Sequence, residues 1–287
     1  IHGIKMIDKK TKFHIHMVSD ATGETMESIA KAALVQFKGV DCKKHFWPMV
    51  RRPKQMLKIL EDIAKNPGLV LFTLVNDDIR NVLIKGCHNL RLPFLSLLDP
   101  AIMALGNFFG LRATGLPGQQ HVLDENYFNR IDALHFTMAH DEGQMVCDVG
   151  SADIVIVGVS RTSKTPTSIY LANRGFRTAN IPFVLGCPMP KELDLIKKRF
   201  VIGLTASPDR LVKIRTNRLR SLNELSSTEY VDMEKIKEEV RECRKYFAVR
   251  GWPVIDATRR SIEETAAAIL TLYKQNQQEK NLFTEIE

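Results

Sequence analysis

The sequence predicts an α/β protein, with an N-terminal open parallel-sheet domain followed by an α/β domain of the P-loop type. Three observations carry this prediction. Short, β-branched apolar runs alternate with amphipathic stretches of helical length through the first half of the chain. Pro and Gly fall at the joints between them. The same strand, loop and helix order then restarts after Ala152, where Ile154 to Val157 is an apolar run suited to a parallel sheet covered on both faces.

Taken in order, strands are expected at Phe13 to Val18, Lys44 to Val50, Leu69 to Val75 and Pro93 to Leu98. Between and after them, helices are expected from the Ser19–Glu24 loop through Phe37, then Pro53 to Lys65, Asp77 to Asn89 and Pro100 to Phe109. This domain is assigned to residues 1–114. Residues 115–150 form a linker that opens on a Leu116-Pro-Gly118 turn and carries a helical stretch from Asp124 to His140, suited to packing the two halves together. The second domain, 151–287, continues with strands at Ala179 to Leu185, Phe200 to Leu204 and Pro253 to Ala257. The polar interval Ser221 to Phe247 reads as a loop and one exposed helix. Ser261-Ile-Glu-Glu264 is a capping box opening the last helix, which is expected to end near Lys274 and leave a fraying polar tail.

Bulk properties narrow the classes. A chain of 287 residues can bury a substantial core. No apolar run reaches the roughly 18 residues needed to span a bilayer, and the first ten residues lack an apolar signal core, so a cytoplasmic protein without a membrane partner is expected. Cys42, Cys87, Cys147, Cys187 and Cys243 are scattered, which argues against a disulfide framework or a zinc knuckle and for small buried hydrophobes. The net charge of +8 suits phosphates as well as nucleic acid, but the cations are not interleaved with aromatics, and no nucleic-acid partner is expected. A homodimer is compatible with the sequence.

The segment Gly158-Val159-Ser160-Arg161-Thr162-Ser163-Lys164-Thr165 has the spacing G-x-x-x-x-G-K-[ST], with Ser163 in place of the second glycine. In such a loop backbone N–H groups cradle phosphates, Lys164 reaches the β-phosphate and Thr165 helps hold Mg²⁺. Serine at a position that favours glycine strains the loop without excluding it. Pro166 is tolerated in a first helical turn, and Gly175 is placed for a left-handed helix stop.

Other residues are candidates for charge work. Arg210, Lys213, Arg215, Arg218 and Arg220 follow a buried strand, and a subset such as Arg215 and Arg218 can close over a phosphate, although one helix cannot place all five on a single face. Arg161 lies inside the loop itself. Asp141 and Glu142 offer carboxylates at a helix end, where a base or metal-positioning group can be held. Asp256, ending a strand, serves either Mg²⁺ or a turn. Ser19, Asp20, Thr22, Gly23, Glu24 and Thr25 lie in a strand-to-helix turn on the crevice side of an open sheet, with N-capping as the simpler role for Ser19 or Asp20. His14 and His16 share a strand face without an evident third ligand, and His135 and His140 do not form H-E-x-x-H, so no zinc is expected.

Val18-Ser-Asp-Ala-Thr-Gly-Glu-Thr25, Ala139-His-Asp-Glu-Gly143, the loop from Gly158 to Pro166, Gly203-Leu-Thr205, Ile214-Arg215, Arg218-Leu219 and Ser261-Ile-Glu-Glu-Thr265 occur in that order. In this pattern the chain resembles the bifunctional regulatory proteins of pyruvate, phosphate dikinase and phosphoenolpyruvate synthase, and the Arg-Thr-Ser-Lys loop looks more like the dikinase branch. The resemblance implies a kinase-like second domain and a serine/threonine-protein kinase that uses ADP to phosphorylate, and so inactivate, an active-site threonine of the dikinase. It also implies reversal by inorganic phosphate with release of pyrophosphate. The loop carries over as the ADP-binding segment, with Mg²⁺ as cofactor, and Asp141 is the first choice to orient the target threonine, ahead of Asp20. Glu142 departs from the second Asp common in the family. The same chemistry on the synthase, a small-molecule kinase and a non-catalytic ADP sensor are the alternatives.

Overall fold

The computed structural model describes residues 13–118, 125–196, 199–221 and 229–284. It is α/β and divides into two compact units, Ile1–Val122 and Leu123–Glu287.

In the first unit, β1 (Phe13–Ser19), α1 (Glu24–Leu34), β2 (Cys42–Trp47), α2 (Pro53–Lys65), β3 (Leu69–Thr73), α3 (Asp77–Asn89), β4 (Phe94–Ser96) and α4 (Asp99–Phe109) follow one another. The parallel sheet has the order β2-β1-β3-β4. Side-chain alternation along β1 and β3 sends Val18, Val70 and Phe72 toward Met56, Ile59 and Ile63 of α2 and Leu83 of α3. Ile15, Met17 and Leu71 instead meet Met26 and Ala30 of α1. Both faces are therefore covered.

Boundaries differ from the sequence expectation for identifiable reasons. β2 stops at Trp47 rather than Val50 because Pro48 has no N–H to give the ladder. β3 stops at Thr73 because the Asp20 carboxylate takes the Val75 N–H at 2.8 Å and the Asn76 N–H at 3.3 Å. α1 ends at Leu34, three residues before Phe37, in a turn closed by the Gln36 and Phe37 N–H groups.

In the second unit, α5 (Glu125–Ala139) precedes β5 (Ile154–Gly158), α6 (Lys164–Ala172), β6 (Thr178–Pro182), α7 (Glu192–Leu195), β7 (Phe200–Thr205), α8 (Pro208–Ser221), α9 (Met233–Arg250), β8 (Val254–Asp256) and α10 (Ile262–Thr284). The parallel sheet runs β6-β5-β7-β8, so β5 is flanked on both sides. Val155 and Val157 pack with Leu211 of α8 and Val240, Cys243 and Phe247 of α9. Ile154 and Ile156 pack with Leu171 of α6 and Ala266 and Ile269 of α10. α5 lies against α6 and β6 of the same unit. Its expected start at Asp124, like much of the expected loop after Ser221, lies outside the described residues.

Several expectations are corrected here. α9 is not an exposed helix: it buries Ile236, Val240, Cys243 and Phe247 along one face. α10 continues to Thr284 instead of ending near Lys274, because Gln275 to Lys280 contains no breaker and several good helix formers. Of the five cysteines only Cys87 and Cys243 are buried, while Cys147 and Cys187 are exposed. The capping box forms as expected, with the Ser261 N–H donating to Glu264 Oε2 at 2.8 Å and the Glu264 N–H to Ser261 Oγ at 3.1 Å. Gly175 has φ 88°, two residues beyond the Asn173 cap of α6.

His14 and His16 meet a third histidine, His45 of β2. The His16 and His45 rings stack with centroids 4.5 Å apart, and His14 Nδ1 lies 2.9 Å from His45 Nε2. Among the described residues no group of His, Cys, Asp and Glu has the geometry of a metal site. Burial, and secondarily the His14 charge, pull His16 below its ordinary value of 6.5 against the opposing hydrogen bond to the Asn66 carbonyl. A group whose folded pKa is depressed favours the fold while neutral, so this contribution is complete above about pH 6.5 and is lost as pH falls through the folded value. Amide exchange in β1 and β2 should therefore accelerate between pH 6.5 and 5 after correction for the intrinsic rate, and His16→Leu should abolish most of that acceleration.

Candidate active site

The site is built where β5 ends. Gly158 is required there, since a Cβ would lie 2.4 Å from the Leu204 carbonyl oxygen of β7 and force the two strands apart. Beyond it the chain turns sharply through Arg161 at φ 71° and Ser163 at φ 67°. Both are left-handed conformations that cost a non-glycine residue about 1–2 kcal/mol each. This explains geometrically why the motif prefers glycine where Ser163 stands. Ser163 is also the N-cap of α6, and its side chain caps nothing, so the first N–H groups of α6 point out of the helix end unsatisfied by a side chain.

Lys164 is buried at 3% exposure, and its ammonium donates to the Val159 carbonyl at 3.3 Å. Thr162 Oγ1 donates to the same carbonyl at 2.9 Å. Burial pulls the Lys164 ammonium below the ordinary lysine value, opposed by the charges of Glu142 and Asp141. A desolvated cation beside open helix N–H groups is a strong anion receptor.

Asp141 reaches the loop from the turn after α5. Thr165 Oγ1 donates to Asp141 Oδ1 at 2.9 Å, and the Asn180 amide of β6 donates to that same carboxylate oxygen and, at 3.1 Å, to Thr165 Oγ1. The turn is tight: Glu142 has φ 51°, Gly143 φ 77° and Met145 φ 47°. It is tied to the sheet edge by the Asn180 N–H, which donates to the His140 carbonyl at 3.1 Å. His140 is buried and stacked on Phe136 with ring centroids 3.8 Å apart, and its Nδ1 lies 2.7 Å from the Phe136 carbonyl. His135 is exposed.

Arg215 approaches from the other side and is as buried as Lys164. It pairs with Glu239 of α9 at 2.8 Å, donates to the Ser160 carbonyl at 3.2 Å and the Tyr230 carbonyl at 3.3 Å, and lies 4.7 Å from the Tyr230 ring centroid. The Tyr230 hydroxyl sits 3.2 Å from Ser160 Oγ and accepts from Arg161 Nε at 3.3 Å. Arg215 therefore braces the loop with its charge already matched by Glu239. Arg218 is exposed on the same helix and makes no described contact with the loop. Asp256 is committed to a turn, accepting the Thr258 N–H at 2.8 Å and pairing with Arg244 at 3.1 Å.

Within the first unit, Ser19 and Asp20 are buried at the C-terminal ends of β1 and β3. Ser19 Oγ accepts from Thr73 Oγ1 at 3.0 Å, and Asp20 holds the turn after β3 as described above. They line a small cavity of about 160 Å³ with Gly23, Thr25 and Leu98 at the switch point between β1 and β3. Sequence reasoning missed Asn180, Tyr230 and Glu239, and of these only Asn180, a polar residue between Ala179 and Ile181 in a buried strand, left a readable signal.

The sequence pattern described as kinase/pyrophosphorylase matches residues 15–270. The chain belongs to the kinase/pyrophosphorylase family. It is similar to a protein of Rhizorhabdus wittichii named "Putative pyruvate, phosphate dikinase regulatory protein", at 54% identity over 91% of this chain and 95% of that one. Proteins with the same name from Novosphingobium aromaticivorans and Paramagnetospirillum magneticum are 53% and 50% identical, covering 92% and 96% of this chain and 94% and 88% of theirs. Among solved structures, an ABC transporter periplasmic solute-binding protein from Actinobacillus succinogenes aligns over 93% of this chain and 92% of that one at 10% identity, with a TM-score of 0.23 that supports no shared fold. Family membership makes this kinase-like phosphotransferase chemistry, and no helix of the described residues is long and apolar enough to cross a membrane.

The bracing role of Arg215 has a direct consequence. Arg215→Ala should destabilise the protein, by at most about 3–5 kcal/mol in chemical denaturation, because it empties a buried cation site and strands a half-buried Glu239. Arg215→Met combined with Glu239→Leu should recover most of that loss. A free phosphate-binding arginine would show neither effect.

Proposed function

We propose that this protein is a bifunctional regulator of pyruvate, phosphate dikinase, phosphorylating an active-site threonine of the dikinase with ADP and removing the phosphate with inorganic phosphate. The observation that carries the reading is the buried Lys164 at the uncapped start of α6, beside the Thr165–Asp141 pair. The names of the similar proteins supply the target. The residues fit the groups required. An unpaired buried ammonium and open helix N–H groups suit the donor's phosphates, and a hydroxyl beside a carboxylate suits Mg²⁺, which prefers hard oxygen ligands.

In the forward direction the threonine hydroxyl oxygen bonds to the β-phosphorus of ADP as the bond to the bridging oxygen breaks, and AMP leaves. Asp141, through the carboxylate oxygen not engaged by Thr165 and Asn180, accepts the hydroxyl proton. Lys164 and Arg161 hold the donor's oxygens and offset the charge that develops on them. Mg²⁺, when bound, neutralises phosphoryl oxygens, and Thr165 Oγ1 with Asp141 behind it would hold it. In reverse, an oxygen of inorganic phosphate bonds to the phosphothreonine phosphorus as the bond to the threonine oxygen breaks, pyrophosphate leaves, and the proton given up by the attacking phosphate passes through Asp141 to the threonine oxygen. Gly158, Val159, Ser160, Thr162 and Ser163 shape the cradle. Arg215 acts through the loop, and Ser19 and Asp20 support the crevice of the first unit.

The test is mass spectrometry of purified pyruvate, phosphate dikinase after incubation with this protein, Mg²⁺ and ADP. A phosphothreonine should appear with the wild type and be reduced at least 100-fold with Lys164→Ala, as expected when a principal electrostatic contact is lost. No modification of a target whose histidine has been phosphorylated beforehand would overturn the reading, and modification of phosphoenolpyruvate synthase instead would reassign the target.

A further inference from the structure

Asn180 is a polar side chain in the interior of β6, with no exposed surface, between Ala179 and Ile181. A hydrophobe there would satisfy packing. The amide is instead half satisfied: its nitrogen donates to Asp141 Oδ1 and Thr165 Oγ1, while its Oδ1 is buried with no hydrogen-bond partner among the described residues. An unpartnered buried carbonyl is destabilising, because it gives up its hydrogen bonds to water and gains none in the fold. Residues that retain such a cost in a tightly packed strand commonly do so for what the other end of the group holds in place.

The hydrogen-bond inventory shows what is held. A hydroxyl has one proton and two acceptor lone pairs. The Thr165 proton is committed to Asp141, and one lone pair is committed to Asn180. One lone pair remains for a ligand. On Asp141, Oδ1 receives both Thr165 and Asn180, and no hydrogen bond to Oδ2 occurs among the described residues. The Asn180 main chain fixes the same turn through the His140 carbonyl. Both the backbone and the side chain of this residue therefore anchor the Asp141 turn to the sheet edge.

We propose that Asn180 is a positioning residue, which fixes the rotamer of Asp141 and the hydroxyl direction of Thr165 so that Asp141 Oδ2 faces the acceptor hydroxyl and the remaining Thr165 lone pair is left for Mg²⁺. The proposal rests on the phosphoryl-transfer reading of the site. It explains the amide specifically. A carboxylate at this position would repel Asp141, and an apolar side chain would leave Asp141 free to turn.

The test uses Asn180→Leu, which keeps the branching of the side chain without its polar atoms, and Asn180→Asp, which should displace Asp141 by repulsion and lower kcat likewise, in the full-length protein, with four readouts. A crystal structure of Asn180→Leu should show Asp141 turned away from Thr165, beyond hydrogen-bond distance. Calorimetry should give a Kd for ADP within about threefold of wild type, because the Lys164 cradle is untouched. The kcat of threonine phosphorylation should fall roughly 100-fold, as for a small misplacement of a reacting group. Asn180→Leu should keep a Tm close to wild type, since removal of the orphaned carbonyl offsets the loss of the amide's two hydrogen bonds. An Asp141–Thr165 contact that persists in Asn180→Leu, or a kcat loss that tracks a fall in Tm, would overturn the proposal. Absence of phosphoryl transfer by the wild type would defeat the proposed function, and the crystal structure would then still decide whether Asn180 holds Asp141.

Discussion

Arg161 and Ser163 both occupy left-handed backbone conformations without being glycine, and the rest of the site is organised around keeping them there. Such conformations persist only where the surroundings over-determine them. On one side Arg215, neutralised by Glu239, bonds to the Ser160 carbonyl, and Tyr230 reaches Ser160 and Arg161. On the other side Thr165 is fixed by Asp141 and Asn180. Beneath the loop, the Val159 carbonyl collects Thr162 and Lys164. The strand end supplies the remaining restraint, since Gly158 allows β5 and β7 to approach more closely than any side chain would permit.

This bracing also sets the electrostatics. Lys164 is desolvated, yet the acids that raise its pKa, Glu142 and Asp141, come from a turn that is itself held at the sheet edge. The ammonium therefore stays in the fold without a direct carboxylate partner. Its contact in the described structure is a neutral carbonyl at 3.3 Å, which an anionic oxygen would displace with a gain in strength. Holding the acids near but not on the lysine opposes the pull of burial without occupying the ammonium.

Elements with explicit local punctuation were legible in the sequence. α2 begins at Pro53 and α3 begins after the Asn76 cap, whose side chain accepts from the Ile79 N–H at 3.2 Å, and both helices span the residues expected. β5 and its loop were readable because a β-branched run feeding a phosphate-loop motif is a local pattern. The contributions that cross the sheet were not. The shortening of β3 depends on Asp20, more than fifty residues earlier, and the role of Arg215 depends on a glutamate from another helix. A basic helix in sequence gives no indication of which cation is buried and paired, and here the pattern of five cations concealed one structural arginine. The full length of α10 was missed for the opposite reason, because polar residues signal exposure and say little about where a helix stops.

The same pairing limits which charges can serve an anion at the loop. The net charge of +8 suggests a strongly basic site, but the local arrangement is more economical. Arg215 is cancelled by Glu239, Arg244 is occupied by Asp256, and Arg218 faces solvent away from the described loop contacts. Lys164, Arg161 and the start of α6 remain. Lys164 is buried and Ser163 at the start of α6 is half-buried, and screening by salt is weak there compared with that between exposed charges. Phosphate binding here should then depend on ionic strength far less than the overall charge implies, and its selectivity should come from the fixed directions of the lysine and the helix N–H groups. A site of this kind discriminates by where the phosphoryl oxygens sit, which is the property that transfer in both directions through one set of side chains requires.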